Sequence, residues 1–135
     1  MMRAAQASPA KCPAAQFPAF LQAFAGDPKI QRYYTAPVLD VVDWVNADEP
    51  QMGTRVVHVP RDEYHEFKLR YHAGQFQHVE DPASPEPIAV QPRVTPGPNG
   101  YRVEYIFNMS EGNSWTFARR GDCWQLTGEP DPSLL

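Results

Sequence analysis

Cysteine, basic clusters and long apolar runs are all scarce in this chain, and each shortage excludes a class of protein. Only two cysteines, Cys12 and Cys123, occur among the 135 residues, too few for a disulfide-dense miniprotein or a cysteine-rich zinc module. Arg119-Arg120 is the one adjacent basic pair and the net charge is −4, which argues against the basic stripe that nucleic-acid binding requires. No apolar run approaches the roughly 20 residues needed to span a bilayer. A phosphate-binding loop, a dinucleotide fingerprint, a nucleophile elbow and a His-Glu-x-x-His pair are missing as well. What is present, 42% hydrophobic and 12% aromatic residues, suits one globular domain of this length.

The two cysteines stand at opposite ends of the chain. If the ends meet, a Cys12–Cys123 disulfide closes a loop of about 110 residues, worth roughly 4 to 5 kcal/mol in the chain-entropy model. Such a bond belongs outside the reducing cytosol; the competing reading is two separately buried thiols. Ala5-Gln6-Ala7 has the small-x-small form of a signal-peptidase site, but no apolar segment precedes it. It is either the trace of a removed leader, a sign of a displaced gene start, or chance in an alanine-rich stretch. The expected location is periplasmic or secreted.

Residues 1–15 read as an irregular lead-in. Phe17, Phe20, Leu21 and Phe24 then form the i, i+3, i+4, i+7 stripe of a short amphipathic helix, with Pro18 acceptable in its first turn. Gly26 ends it, and Asp27-Pro28 caps and opens a second helix reaching Tyr33 or Tyr34. After Pro37, residues 38–45 read as a strand, 46–50 as a loop and 54–59 as another strand. Pro60 to Glu63 opens a helix running to about Phe67, or else extended chain continues through Tyr71. Gly74 marks a break before a short strand at 75–79. Pro82, Pro85, Pro87, Pro92, Pro96 and Pro98 exclude a central strand from most of the next stretch, leaving Ile88-Ala89-Val90 as one fragment. Pro82-x-x-Pro85 is read as a rigid connection in preference to a polyproline ligand.

The last third alternates cleanly. Tyr101, Val103, Tyr105 and Phe107 mark a half-buried strand, Glu111-Gly112-Asn113 a hairpin turn, and Trp115 and Phe117 a second strand. Arg120-Gly121-Asp122 turns the chain into a third strand at 123–127, with a loose tail beyond. The expected class is α+β, with one domain over 16–128 and a tail at 129–135.

This order of elements resembles the nuclear-transport-factor-two-like superfamily. Phe17-x-x-Phe20-Leu21-x-x-Phe24-x-x-Asp27-x-x-x-Gln31-Arg32, followed by Pro37-Val38, is similar to bacterial exported members of that family. So is Trp115-x-Phe117-Ala118-Arg119-Arg120-Gly121-Asp122-Cys123-Trp124-x-Leu126; the two segments cover about a third of the chain. The resemblance implies short helices packed in a strongly curved, mostly antiparallel sheet, a cone with a pocket at its open end. It also implies action by binding a protein partner in the bacterial envelope, most concretely as an immunity protein neutralising a secreted antibacterial effector. The alternatives are a small-molecule binder or isomerase/dehydratase-type enzyme using the pocket, and a toxin domain of the same fold. Dimerisation through the open sheet face is a further expectation, and no cofactor is implied.

Enzymes of that family carry an Asp–His or Asp–Tyr constellation, which no local motif here matches. Asp40 and Asp43 flank the apolar run of the first strand beside Trp44. Facing an apolar interior, either would be a general base with a raised pKa and Tyr33, Tyr34, Tyr101 or Tyr105 as proton donor. Facing outward, they are ordinary strand acids. His58, His65, His72 and His78 lack metal-ligand spacing and read as surface or strand residues. Arg120-Gly121-Asp122 is read as turn chemistry before integrin recognition, and Asn108-Met109-Ser110 as a chance glycosylation sequon. Three Trp, seven Phe and six Tyr exceed one small core, so Tyr33, Trp44, Tyr101, Tyr105 and Trp115 are candidates for a pocket or a protein-facing surface.

Overall fold

A computed structural model describes residues 11–45, 53–80, 86–109 and 111–130. Its first helix, α1 (Phe17–Gly26), places Pro18 in the first turn and buries Phe17, Phe20, Leu21, Phe24 and Ala25, as the stripe predicts. Helix α2 (Pro28–Tyr33) follows at once; the Asp27 carboxylate caps it by accepting the Lys29 N–H at 2.9 Å. The Asp does this because its short side chain satisfies a donor left free in the first turn.

The strands are β1 (Thr35–Val45), β2 (Gly53–Pro60), β3 (Leu69–His72), β4 (Gln75–His78), β5 (Ile88–Ala89), β6 (Arg93–Gly97), β7 (Gly100–Ile106), β8 (Gly112–Arg120) and β9 (Cys123–Glu129). Six of them form one sheet in the order β2-β1-β9-β8-β7-β6, antiparallel except where β1 runs parallel to β9. The remaining three form a small antiparallel sheet, β3-β4-β5. The molecule is therefore α+β with a mostly antiparallel, strand-rich architecture, and the larger sheet is open.

Several boundaries differ from the sequence reading. Strand β1 begins at Thr35, so Pro37 lies inside it. The β1–β9 register shifts between Thr35 and Asp40, and an irregular ladder accommodates the missing donor. Residues 61–63 make a single 3-10 turn, after which the chain extends into β3. Pro96 sits in β6, which is permitted because β6 is an edge strand. Gly112 and Asn113 already belong to β8. Strand β9 runs through Gly128 to Glu129, two residues beyond the strand end read from the sequence, and Gly128 is buried. Residues 1–10, 46–50, Pro82, Pro85, Ser110 and 131–135 lie outside the described residues.

The core is aromatic and is assembled by α1. Phe117 on β8 receives Phe17 at 5.3 Å, Phe24 at 5.2 Å and Phe67 at 6.2 Å between ring centroids. Phe17 also stacks on Tyr101 at 4.5 Å and meets Trp124 edge-on at 5.4 Å. Each fully buried side chain of this size contributes roughly 1.5–3 kcal/mol of transfer free energy. Cys12 and Cys123 are joined, with Cα atoms 5.5 Å apart, and tie the lead-in before α1 to the start of β9. Gly121, with φ of 63°, makes the β8–β9 turn, the geometry that favours glycine there.

Candidate functional site

Asp40 and Asp43 do not face an interior. Asp40 lies on the outer face of β1, its carboxylate 2.8 Å from His58 Nδ1 across the strand pair, with both side chains about two-thirds exposed. Asp43 is exposed and accepts the Trp44 N–H at 2.8 Å. Both carboxylates therefore lie on exposed parts of β1, away from the apolar interior that the general-base reading needs. The Arg-Gly-Asp segment is occupied by the β8–β9 turn, where the Arg119 guanidinium stacks over Trp124 at 4.6 Å and that of Arg120 over Tyr33 at 5.3 Å.

The five aromatic candidates separate by environment. Trp115 and Tyr105 are core residues, 1% and 3% exposed. Tyr101 is half-buried against Phe17, and Tyr33 is half-buried beneath Arg120. Trp44 is exposed, on the outer face of β1.

Around Trp44 the outer face forms a surface. Side chains alternate along a strand, so Val38, Asp40, Val42 and Trp44 share one face with their cross-strand partners Pro60, His58, Val56 and Thr54. Val38 and Val56 are each about half exposed. These valines and Trp44 surround the Asp40–His58 pair. Beside them, β2 is an edge of the six-stranded sheet, and most of its residues are exposed. Natural sheets commonly protect such an edge with lysine, proline or a bulge; β2 keeps Thr54-Arg55-Val56-Val57-His58-Val59 in regular pairing before Pro60.

Two buried polar networks lie elsewhere, and neither was legible beforehand. In the first, the Trp115 indole N–H donates to the Tyr64 hydroxyl at 2.9 Å, and Tyr64 donates in turn to the Glu129 carboxylate. Burial raises the pKa of Tyr64, and burial likewise raises that of Glu129, with the Glu66 and Asp43 charges adding to it. Tyr64 lines a cavity of about 310 Å³ whose walls include Phe24, Phe67, Leu126, Arg32, Arg61 and His65. Its hydroxyl proton is directed to Glu129, so the pair braces the cavity wall.

In the second network His78, 1% exposed, is the most buried of the four histidines. Asn113 Nδ2 donates to the Tyr105 oxygen at 3.3 Å, the Tyr105 hydroxyl donates to His78 Nδ1 at 2.8 Å, and His78 Nε2 donates to Glu80 at 2.8 Å. That order leaves every donor of the network paired. Phe107 stacks on the ring at 3.7 Å. The hydrogen bond from His78 lowers the Glu80 pKa, with Lys68 assisting, while burial raises that of Tyr105. The chain of bonds joins the small sheet to the large one. Among the described residues, no three His, Cys, Asp or Glu side chains are grouped to hold a metal ion, and no helix is long and apolar enough to cross a membrane.

Comparison with protein-family models, with curated proteins and with solved structures returns no match for this chain.

Proposed function

We propose that this chain acts by binding a protein partner without catalysing a reaction, and that its working surface is the outer face and free edge of the β1–β2 pair. The single observation that carries the reading is β2, an exposed, regularly paired edge strand rich in β-branched residues beside Val38, Val56 and Trp44. The partner with matching chemistry is a folded protein that adds a strand to this edge. Main-chain hydrogen bonds would supply affinity, and apolar side chains packed on Val56 and Trp44 would supply specificity.

The reading extends to location and role. The Cys12–Cys123 disulfide supports a periplasmic or secreted protein, since such bonds persist outside the reducing cytosol. Membership of the nuclear-transport-factor-two-like cones is part of the same proposal, supported by the order helix, helix, strand and terminal meander and by the packing of α1 on Phe117 and Trp124. Within it, the most concrete role is an immunity protein for a secreted antibacterial effector.

The test is co-expression with candidate antibacterial effectors from the same genome, both proteins directed to the periplasm. Growth is expected to be rescued, and Val56→Lys is expected to abolish rescue and co-elution while leaving the melting temperature nearly unchanged, as exposed substitutions do. Rescue that survives both Val56→Lys and Trp44→Ala would refute this surface. Growth inhibition by the chain alone would identify a toxin instead.

A further inference from the structure

Arg70 is the charged side chain that keeps a buried, unpartnered donor among the described residues. It lies on β3 directly opposite Gln77 of β4, on the face of the small sheet turned away from Leu69 and His78. Its Nε is buried and has no hydrogen-bond partner. An unmade hydrogen bond from a buried charged donor is expensive, so native proteins seldom keep one without a use.

The surroundings indicate that use. Arg70 lines a cavity of about 310 Å³, at the lower end of the range for small-molecule sites. None of the lining residues is an aspartate or glutamate, although the chain as a whole carries a net charge of −4. Gln77 and Gln31 bring side-chain amides to the wall, and Ala25, Val79, Pro28 and Pro87 supply apolar surface. A guanidinium presents Nε–H and one Nη–H along the same edge, a fork that matches the two oxygens of a carboxylate. The orphaned Nε is one prong of that fork.

We propose that this cavity between α1, α2 and the small sheet is a binding site for a small monocarboxylate with a short apolar tail or ring, held bidentately by Arg70. One formal positive charge flanked by neutral amides suits a monoanion better than a phosphate dianion. Gln31 and Gln77 orient the carboxylate, and the apolar walls receive the rest of the molecule. The site is separate from the β1–β2 surface and does not depend on a protein partner.

Hexanoate and benzoate at millimolar concentration are the probes, with hexanamide, benzamide and inorganic phosphate as controls. The readouts are the Arg70 Nε–H resonance of the wild-type protein and its thermal shift. Both carboxylates are expected to move that resonance and raise the melting temperature, while the amides do neither. Arg70→Met is expected to fold and to weaken binding about tenfold or more, because the charge-assisted pair is lost. Arg61→Met, in the neighbouring cavity, is expected to leave binding intact. An unmoved Arg70 resonance in the wild type, amides binding as well as acids, or phosphate binding more tightly than either acid would overturn the proposal. So would an Arg70→Met protein that retains full affinity.

Discussion

The carboxylate of Glu129 lies beneath Tyr64, where burial holds its pKa above the ordinary 4.5. The folded state therefore keeps the Glu129 proton to higher pH than the unfolded chain does. Between those two pKa values the native state binds more protons, so linkage makes stability fall as pH rises above 4.5. Glu129→Gln retains an oxygen to accept from Tyr64 and removes the titration. The variant is expected to lose less stability than wild type as pH rises from 4.5 through neutrality, measured by urea midpoints across pH. Parallel curves for the two proteins would contradict the assignment. None of this was legible in the sequence, because Gly128-Glu129-Pro130 has the composition of a loop. The available signal was the continuation of the Trp124, Leu126 alternation to Gly128, where a glycine occupies a position at which a side chain would not fit.

Strand β9 is the element on which the large sheet turns, since it pairs antiparallel with β8 and parallel with β1. A Cβ on Gly128 would collide with the backbone carbonyl of Asp40. Gly128→Ala is expected to cost about 1–3 kcal/mol, as overpacking does, through opening of the β1–β9 pairing. A lower urea midpoint with an unchanged m-value would show the loss, whereas an unchanged midpoint would mean the contact relaxes freely. At this scale the α1 stripe and the β7–β9 meander were readable, because both are local periodicities with turn residues at their ends. The parallel β1–β9 contact joins segments about 90 residues apart, and no local pattern encodes it. Residues 61–67 were ambiguous for a related reason. Acids at a helix start favour one turn there, but the pull of β3 toward β4 extends the chain after it.

Across the whole molecule, two long-range ties hold separate parts together. The His78–Tyr105 bond links the small sheet to the large one, and the disulfide links the start of the chain to β9. The disulfide closes a separation of 111 residues. Its removal in a Cys12→Ala/Cys123→Ala variant is expected to cost about 4–5 kcal/mol in the chain-entropy model. Chemical denaturation of oxidised, reduced and variant protein measures it. Equal stability of all three would show that α1 packing alone holds the lead-in and β9 together.

By itself the sequence determined the local matters: an aromatic helix stripe, an alternating terminal meander and an α+β composition; the meeting of the two cysteines was decided by the fold. Tertiary structure decided which polar groups leave water. Asp40 and Asp43 sit in strong strand contexts yet remain solvated, while Glu129, His78 and the Nε of Arg70 are enclosed by elements distant in the chain. The physical reason is that periodicity is set by a residue's immediate neighbours, whereas desolvation depends on every segment that packs against it.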